Sequence, residues 1–267
     1  MSVGKAFLQF LKLFLIIVVV DLLAYFLNYF LKYQIYTFPI IDIMARLLAY
    51  WLFYKYILSK ELTIEVIKSF KPIQNNLIFP IILLSFGFEL FNKPFFSLYS
   101  EIFKPNEVLK TVRIHHQNAE LNFRYILFSF SILIIAPIFE ELFFRKYLLG
   151  NLLKQNSVLK SIFISSLCFS LFHLPDFINI LPTFIFGIIT AFIYLKTKKI
   201  TYTIFFHFIS NLIFIILNLN GATIFENLEK LHFNILYWML TSFGGSLIIL
   251  ISLKFFNKNL EKEKIEI

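Results

Sequence analysis

The chain has 267 residues, of which 59% are hydrophobic, 19% aromatic and 15% charged, and its mean hydropathy is +0.78. That profile excludes an ordinary soluble domain and specifies a polytopic membrane protein. The formal net charge of +9 does not indicate nucleic acid, because the Lys and Arg residues stand in short groups between apolar runs and not along one exposed stripe. Cys168 is the only cysteine, which excludes an internal disulfide and every CxxC-based zinc or redox motif.

An apolar run of ~20 residues crosses a bilayer as a helix, since only a helix satisfies all of its own backbone groups there. Eight such spans are expected: Ala6–Leu31, Ile35–Leu58, Leu77–Phe96, Tyr125–Leu149, Val158–Phe177, Ile178–Leu195, Tyr202–Asn220 and Ile235–Phe256. They form one all-α transmembrane domain over 1–267, and the first span reads as an uncleaved helix because no small-residue cleavage site follows it. In the second span Asp42 and Arg46 have the i,i+4 spacing of a mutually neutralising pair, whereas Asp21 has no partner nearby in sequence. Between the second and third spans, Ser59–Asn76 sets Leu62, Val66, Ile67 and Phe70 at helical spacing opposite Lys60, Glu61, Glu65 and Lys68, as an amphipathic surface helix does. The longest polar connector, Lys104–Asn122, carries His115 and His116, read as solvated.

With eight spans, Lys5 and Lys12, Lys55 to Lys71, Lys146 to Lys160, Lys196 to Lys199 and Lys254 to Lys264 all fall on one side of the membrane. By the positive-inside rule that side is cytoplasmic and holds both termini. Heavy use of Phe, Ile, Lys, Asn and Tyr agrees with an AT-rich bacterial genome, and hence with a bacterial plasma membrane.

The fourth span places Glu140, Glu141 and Arg145 in the middle of a lipid-soluble run. A charge near the bilayer centre costs at least ~2.5–3.5 kcal/mol, so such groups face partners or water and are functional candidates. At ~100° per residue Glu140 and Glu141 point to different sides, while Glu141 and Arg145 share a face and can pair. Glu140 is then free to act as a general base. His173 stands at the far end of the fifth span, and His207 and Asn211 share one face of the seventh, with Ser210 beside it. On the sixth, Gly187 and Ala191 form a small-residue packing seam. Separate burial of these polar groups would carry the desolvation penalty several times, so one shared pocket is expected. Counting ~1.5 Å per residue, Glu140 and His207 lie at similar depths and His173 several ångströms farther across.

Three ordered motifs, Glu140-Glu141 through Arg145, Phe169 through His173, and His207 through Asn211, resemble those of the CPBP intramembrane proteases. This family, also called Abi or CAAX-protease-like, includes the type II CAAX prenyl endopeptidases. The resemblance covers about Tyr125 to Leu217. It implies a glutamic-type endopeptidase in which Glu140 activates water with help from His173, His207 and Asn211 donate to the oxyanion, and Glu141 and Arg145 support them. No cofactor is favoured. The alternative within the family is a divalent metal such as zinc held by Glu140, His173 and His207, although no HExxH helix is present to enforce one.

The implied partners are membrane lipid and a membrane-associated substrate: a prenylated tail, a leader peptide, a bacteriocin-related peptide or a membrane-bound regulator. Two rival readings are a catalytically inactive immunity or scaffold protein of the same fold, and a transporter. The latter predicts repeated halves with broken helices, and the chain has neither.

Overall fold

The computed structural model describes residues 1–31, 37–57, 70–103, 122–174, 177–220 and 234–265. Most of the expected surface helix and nearly all of the Lys104–Asn122 connector, with His115 and His116, lie outside the described residues. The stretch 70–74 is described and is not helical. Regular structure among the described residues is entirely helical. The helices are α1 (Val3–Phe30), α2 (Thr37–Ile57), α3 (Asn75–Phe103), α4 (Phe123–Leu152), α5 (Val158–Leu171), α6 (Ile180–Thr197), α7 (Ile200–Asn220) and α8, which starts at Ile235 and ends with Gly244–Ile265. Among the described residues, six apolar helical stretches are long and apolar enough to cross a membrane. The chain is a multi-pass helical-bundle membrane protein.

The pattern along α1 shows why. Ala6, Phe10, Leu13, Ile17, Val20 and Ala24 recur at helical spacing and are buried, while Leu8, Leu11, Leu15, Val19 and Leu22 on the other side are exposed. A surface that apolar is stable only against lipid.

α1 packs against α2, and this contact changes one expected pair. Arg46 bonds to Asp21 of α1 at 3.5 Å and not to Asp42, although Asp42 stays in its electrostatic neighbourhood together with Arg124. An interhelical pair gives Asp21 the partner that its own helix lacks, at a depth where an unpaired carboxylate is costly.

Tertiary contacts gather the basic segments at one end of the bundle. The Met1 ammonium donates to Asn151 O at 2.7 Å, Thr201 donates to Lys71 O at 2.6 Å, and Asn259 donates to Asn76 O at 2.7 Å. Leu149, Tyr194 and Ile200 pack together between them.

Two close helix crossings position the interior. A Cβ on Gly187 of α6 would come within 2.9 Å of Ser166 Cα on α5, so the seam read from Gly187 and Ala191 is an α5–α6 contact. At the α3–α8 crossing a Cβ on Gly245 would lie 2.5 Å from Phe91 N, and only glycine allows that approach.

Candidate active site

α4 is not the uniform α-helix that its hydropathy predicts. Two π-helical stretches, Ser131–Ile135 and Leu142–Leu149, flank a short α segment, Ala136–Glu141, that carries both glutamates. π insertions recur at functional positions. Here the cause of the first is local. Ala136 N–H bonds to Ser131 O in the i→i+5 register, and the next such bond would run from residue 137 to Ile132 O. Pro137 has no N–H, so that carbonyl is left open. Asn211 fills the gap from α7, its Nδ2 donating to Ile132 O at 2.6 Å.

Glu141 and Arg145 are fully buried and form an ion pair at 3.2 Å. Arg145 Nη1 donates to Ser165 Oγ at 3.2 Å, Ser165 donates on to Phe144 O at 2.8 Å, and the guanidinium lies 4.9 Å above the Phe169 ring. The other Glu141 oxygen lies 3.1 Å from His207 Nδ1. Thr203, whose hydroxyl donates to Ile200 O at 2.8 Å, is within reach of the same carboxylate. A carboxylate paired with Arg only accepts, so His207 carries hydrogen on Nδ1 and turns Nε2 away from Glu141.

Glu140 has a different environment. It too is buried, but its Oε2 has no hydrogen-bond partner. Its neighbour Phe139 stacks on Tyr50 of α2 with centroids 4.5 Å apart, which brings Tyr50 into the electrostatic field of Glu140. Glu141 is thus held by Arg145 and His207, whereas Glu140 keeps one buried oxygen without a hydrogen-bond partner.

His173 lies just beyond α5, which stops at Leu171, short of the expected Phe177. Its Nδ1 faces Phe169 O at 2.9 Å. A carbonyl can only accept, so Nδ1 donates and neutral His173 keeps its lone pair on Nε2. Phe169 is the common neighbour of the three motifs: its ring lies 4.9 Å from His173, 6.1 Å from His207 and beneath Arg145. Phe169 thus links the level of His173 to that of His207, which residue counting had set several ångströms apart. Among the described residues no group of three or more His, Cys, Asp or Glu side chains is placed to hold a metal ion.

Sequence reasoning missed Ser165, Thr203, Tyr50 and Phe186, whose ring lies 4.7 Å from His207. Only Thr203, one turn before His207 on α7, had a signal in its spacing. The engagement of Asn211 yields a prediction. Asn211→Ala reopens the Ile132 carbonyl, and a buried unsatisfied group costs ~1–3 kcal/mol. The detergent-solubilised variant should melt several degrees below wild type. An unchanged melting midpoint would show that Ile132 O finds another donor.

The match to a known family falls on this same region. Residues 122–213 match the family described as "Type II CAAX prenyl endopeptidase Rce1-like". A protein of Bacillus subtilis (strain 168) named "Putative membrane peptidase YdiL" is 35% identical over 86 residues, covering 32% of this chain and 35% of that relative. The alignment thus spans about a third of the relative's length. No solved structure matches the chain. The segment that matches this family contains Glu140, Glu141, Arg145, His173, His207 and Asn211.

Proposed function

We propose that the protein is an intramembrane endopeptidase that cleaves membrane-associated peptides or proteins through a water activated by Glu140. The observation that carries this reading is the unequal treatment of two adjacent buried acids. Glu141 is held by Arg145 and His207, and Glu140 has a buried oxygen with no partner. A carboxylate left open inside a bundle is a poor structural element and a suitable general base.

In the proposed reaction Glu140 removes a proton from water as the oxygen adds to the scissile carbonyl. His173 steadies the water through its Nε2 lone pair. The carbonyl electrons move onto oxygen, which accepts hydrogen bonds from His207 Nε2, when that nitrogen also carries hydrogen, and from the second amide hydrogen of Asn211. Collapse of the tetrahedral intermediate breaks the C–N bond, and Glu140 returns its proton to the departing amine. Glu141 fixes the His207 ring, and Arg145 holds Glu141 in place.

The substrate class extends to prenylated tails and leader-type peptides, and the basic end of the bundle with both termini faces the bacterial cytoplasm. A proteomic comparison of cells expressing wild type or Glu140→Ala tests the reading. Wild type should generate new termini in membrane-associated proteins that are missing with the variant, and identical sets would contradict it. The metal-free route makes a separate prediction. Cleavage should survive exhaustive treatment with a membrane-permeant chelator, whereas loss reversed by one equivalent of zinc would establish a metal enzyme.

A further inference from the structure

The polar groups of the site that have partners leave one hydroxyl unexplained. Ser210 is 2% exposed, and its Oγ has no hydrogen-bond partner. Several buried helical hydroxyls in this bundle bond back to the carbonyl four residues earlier: Ser161 to Ser157 O at 2.9 Å, Thr190 to Phe186 O at 3.0 Å and Ser252 to Ile248 O at 2.6 Å. Ser210 does not. The carbonyl it would use, Phe206 O, is approached instead by the Ser85 hydroxyl of α3 at 3.4 Å.

Two other buried hydroxyls also lack partners, Ser166 and Ser242. Ser166 is pressed against Gly187 in the α5–α6 seam, and Ser242 lines a surface groove on α8 with Trp238 and Phe243. Of the three, Ser210 is the one that stands beside the motif face of α7. It follows His207 by three residues and precedes Asn211 by one, which puts it ~60° around α7 from the histidine. One turn earlier, Phe206 packs on Phe186 at 5.1 Å, the ring that contacts His207. The donors beside it are already committed in part, His207 Nδ1 to Glu141 and Asn211 Nδ2 to Ile132 O.

Resting on the endopeptidase reading, we propose that the Ser210 hydroxyl is a third donor to the substrate's scissile carbonyl, strengthening as that oxygen becomes the oxyanion. An unsatisfied buried donor costs stability unless something fills it, and a peptide carbonyl brought to the His207–Asn211 face would do so. Such a role predicts separate effects on folding and turnover.

The test uses the full chain in proteoliposomes and a peptide spanning a cleavage site found in the proteomic comparison, with wild type, Glu140→Gln, Ser210→Ala and Ser210→Cys side by side. Ser210→Ala should keep or raise the melting midpoint, because it deletes an unpartnered polar group. Its kcat should fall about 10²-fold with KM nearly unchanged, as for loss of an oxyanion donor. Ser210→Cys, with its weak S–H donor, should fall between the two. Ser210→Ala with wild-type kcat overturns the role. So does a loss of kcat that comes with lowered midpoints in both Ser210 variants, which would mark a packing residue. Glu140→Gln separates the two levels of the argument: a peptide that it still cuts contradicts the endopeptidase reading and removes the Ser210 role with it.

Discussion

Glu140→Gln should remove peptide cleavage while leaving the amount of folded protein close to wild type. A positioned general base contributes about 10²–10⁴ in rate, and Gln has no lone pair basic enough to take the proton from water. Folding should not suffer, because the Glu140 Oε2 gives up no hydrogen bond on becoming an amide and a neutral side chain is easier to bury than a charged one. The amide is also nearly the same size, so the Phe139–Tyr50 stack beside it should persist. Kinetics on reconstituted protein would read the first effect and thermal melting the second. A Glu140→Gln protein with normal turnover would remove the base assignment.

The neighbouring change should have the opposite character. Glu141→Gln leaves the Arg145 guanidinium fully buried without its counter-charge, and breaking a buried pair from one side costs ~3–5 kcal/mol. The Ser165 bond and the Phe169 ring remain on Arg145, so the loss falls toward the lower part of that range. Activity should drop as well, since His207 loses the charge that fixes its ring. Arg145→Met should be destabilised comparably, and the double variant Glu141→Gln/Arg145→Met should recover part of the stability while remaining poorly active. Removing both charges avoids the unpaired one, but it does not restore the orientation of His207. Additive losses in the double variant would show that the two residues do not act as a pair.

The bundle was legible because lipid imposes a simple rule. A helix satisfies its own backbone in a bilayer, so hydropathy alone located the eight helices among the described residues. The motif residues were legible for the converse reason, since ionisable groups in such runs are rare. What was not legible depends on contacts between distant segments. Asp21 finds Arg46 across α1 and α2. Asn211 caps a carbonyl opened by Pro137, 74 positions earlier by number. Thr203 and Ser165 are ordinary residues until Glu141 and Arg145 stand beside them. The π stretches of α4 escaped notice because hydropathy carries no record of hydrogen-bond register, although Pro137 was a local sign of one.

Two consecutive glutamates divide the labour of the site, and both consequences can be read from the same samples. Wild type, Glu140→Gln and Glu141→Gln would be purified in parallel, and each preparation split between a thermal melt in detergent and a cleavage assay after reconstitution. The expected result is that Glu140→Gln melts with wild type and does not cleave, and that Glu141→Gln melts well below wild type with reduced cleavage per folded molecule. A Glu140→Gln protein that unfolds like Glu141→Gln, or a Glu141→Gln protein as stable as wild type, would contradict it.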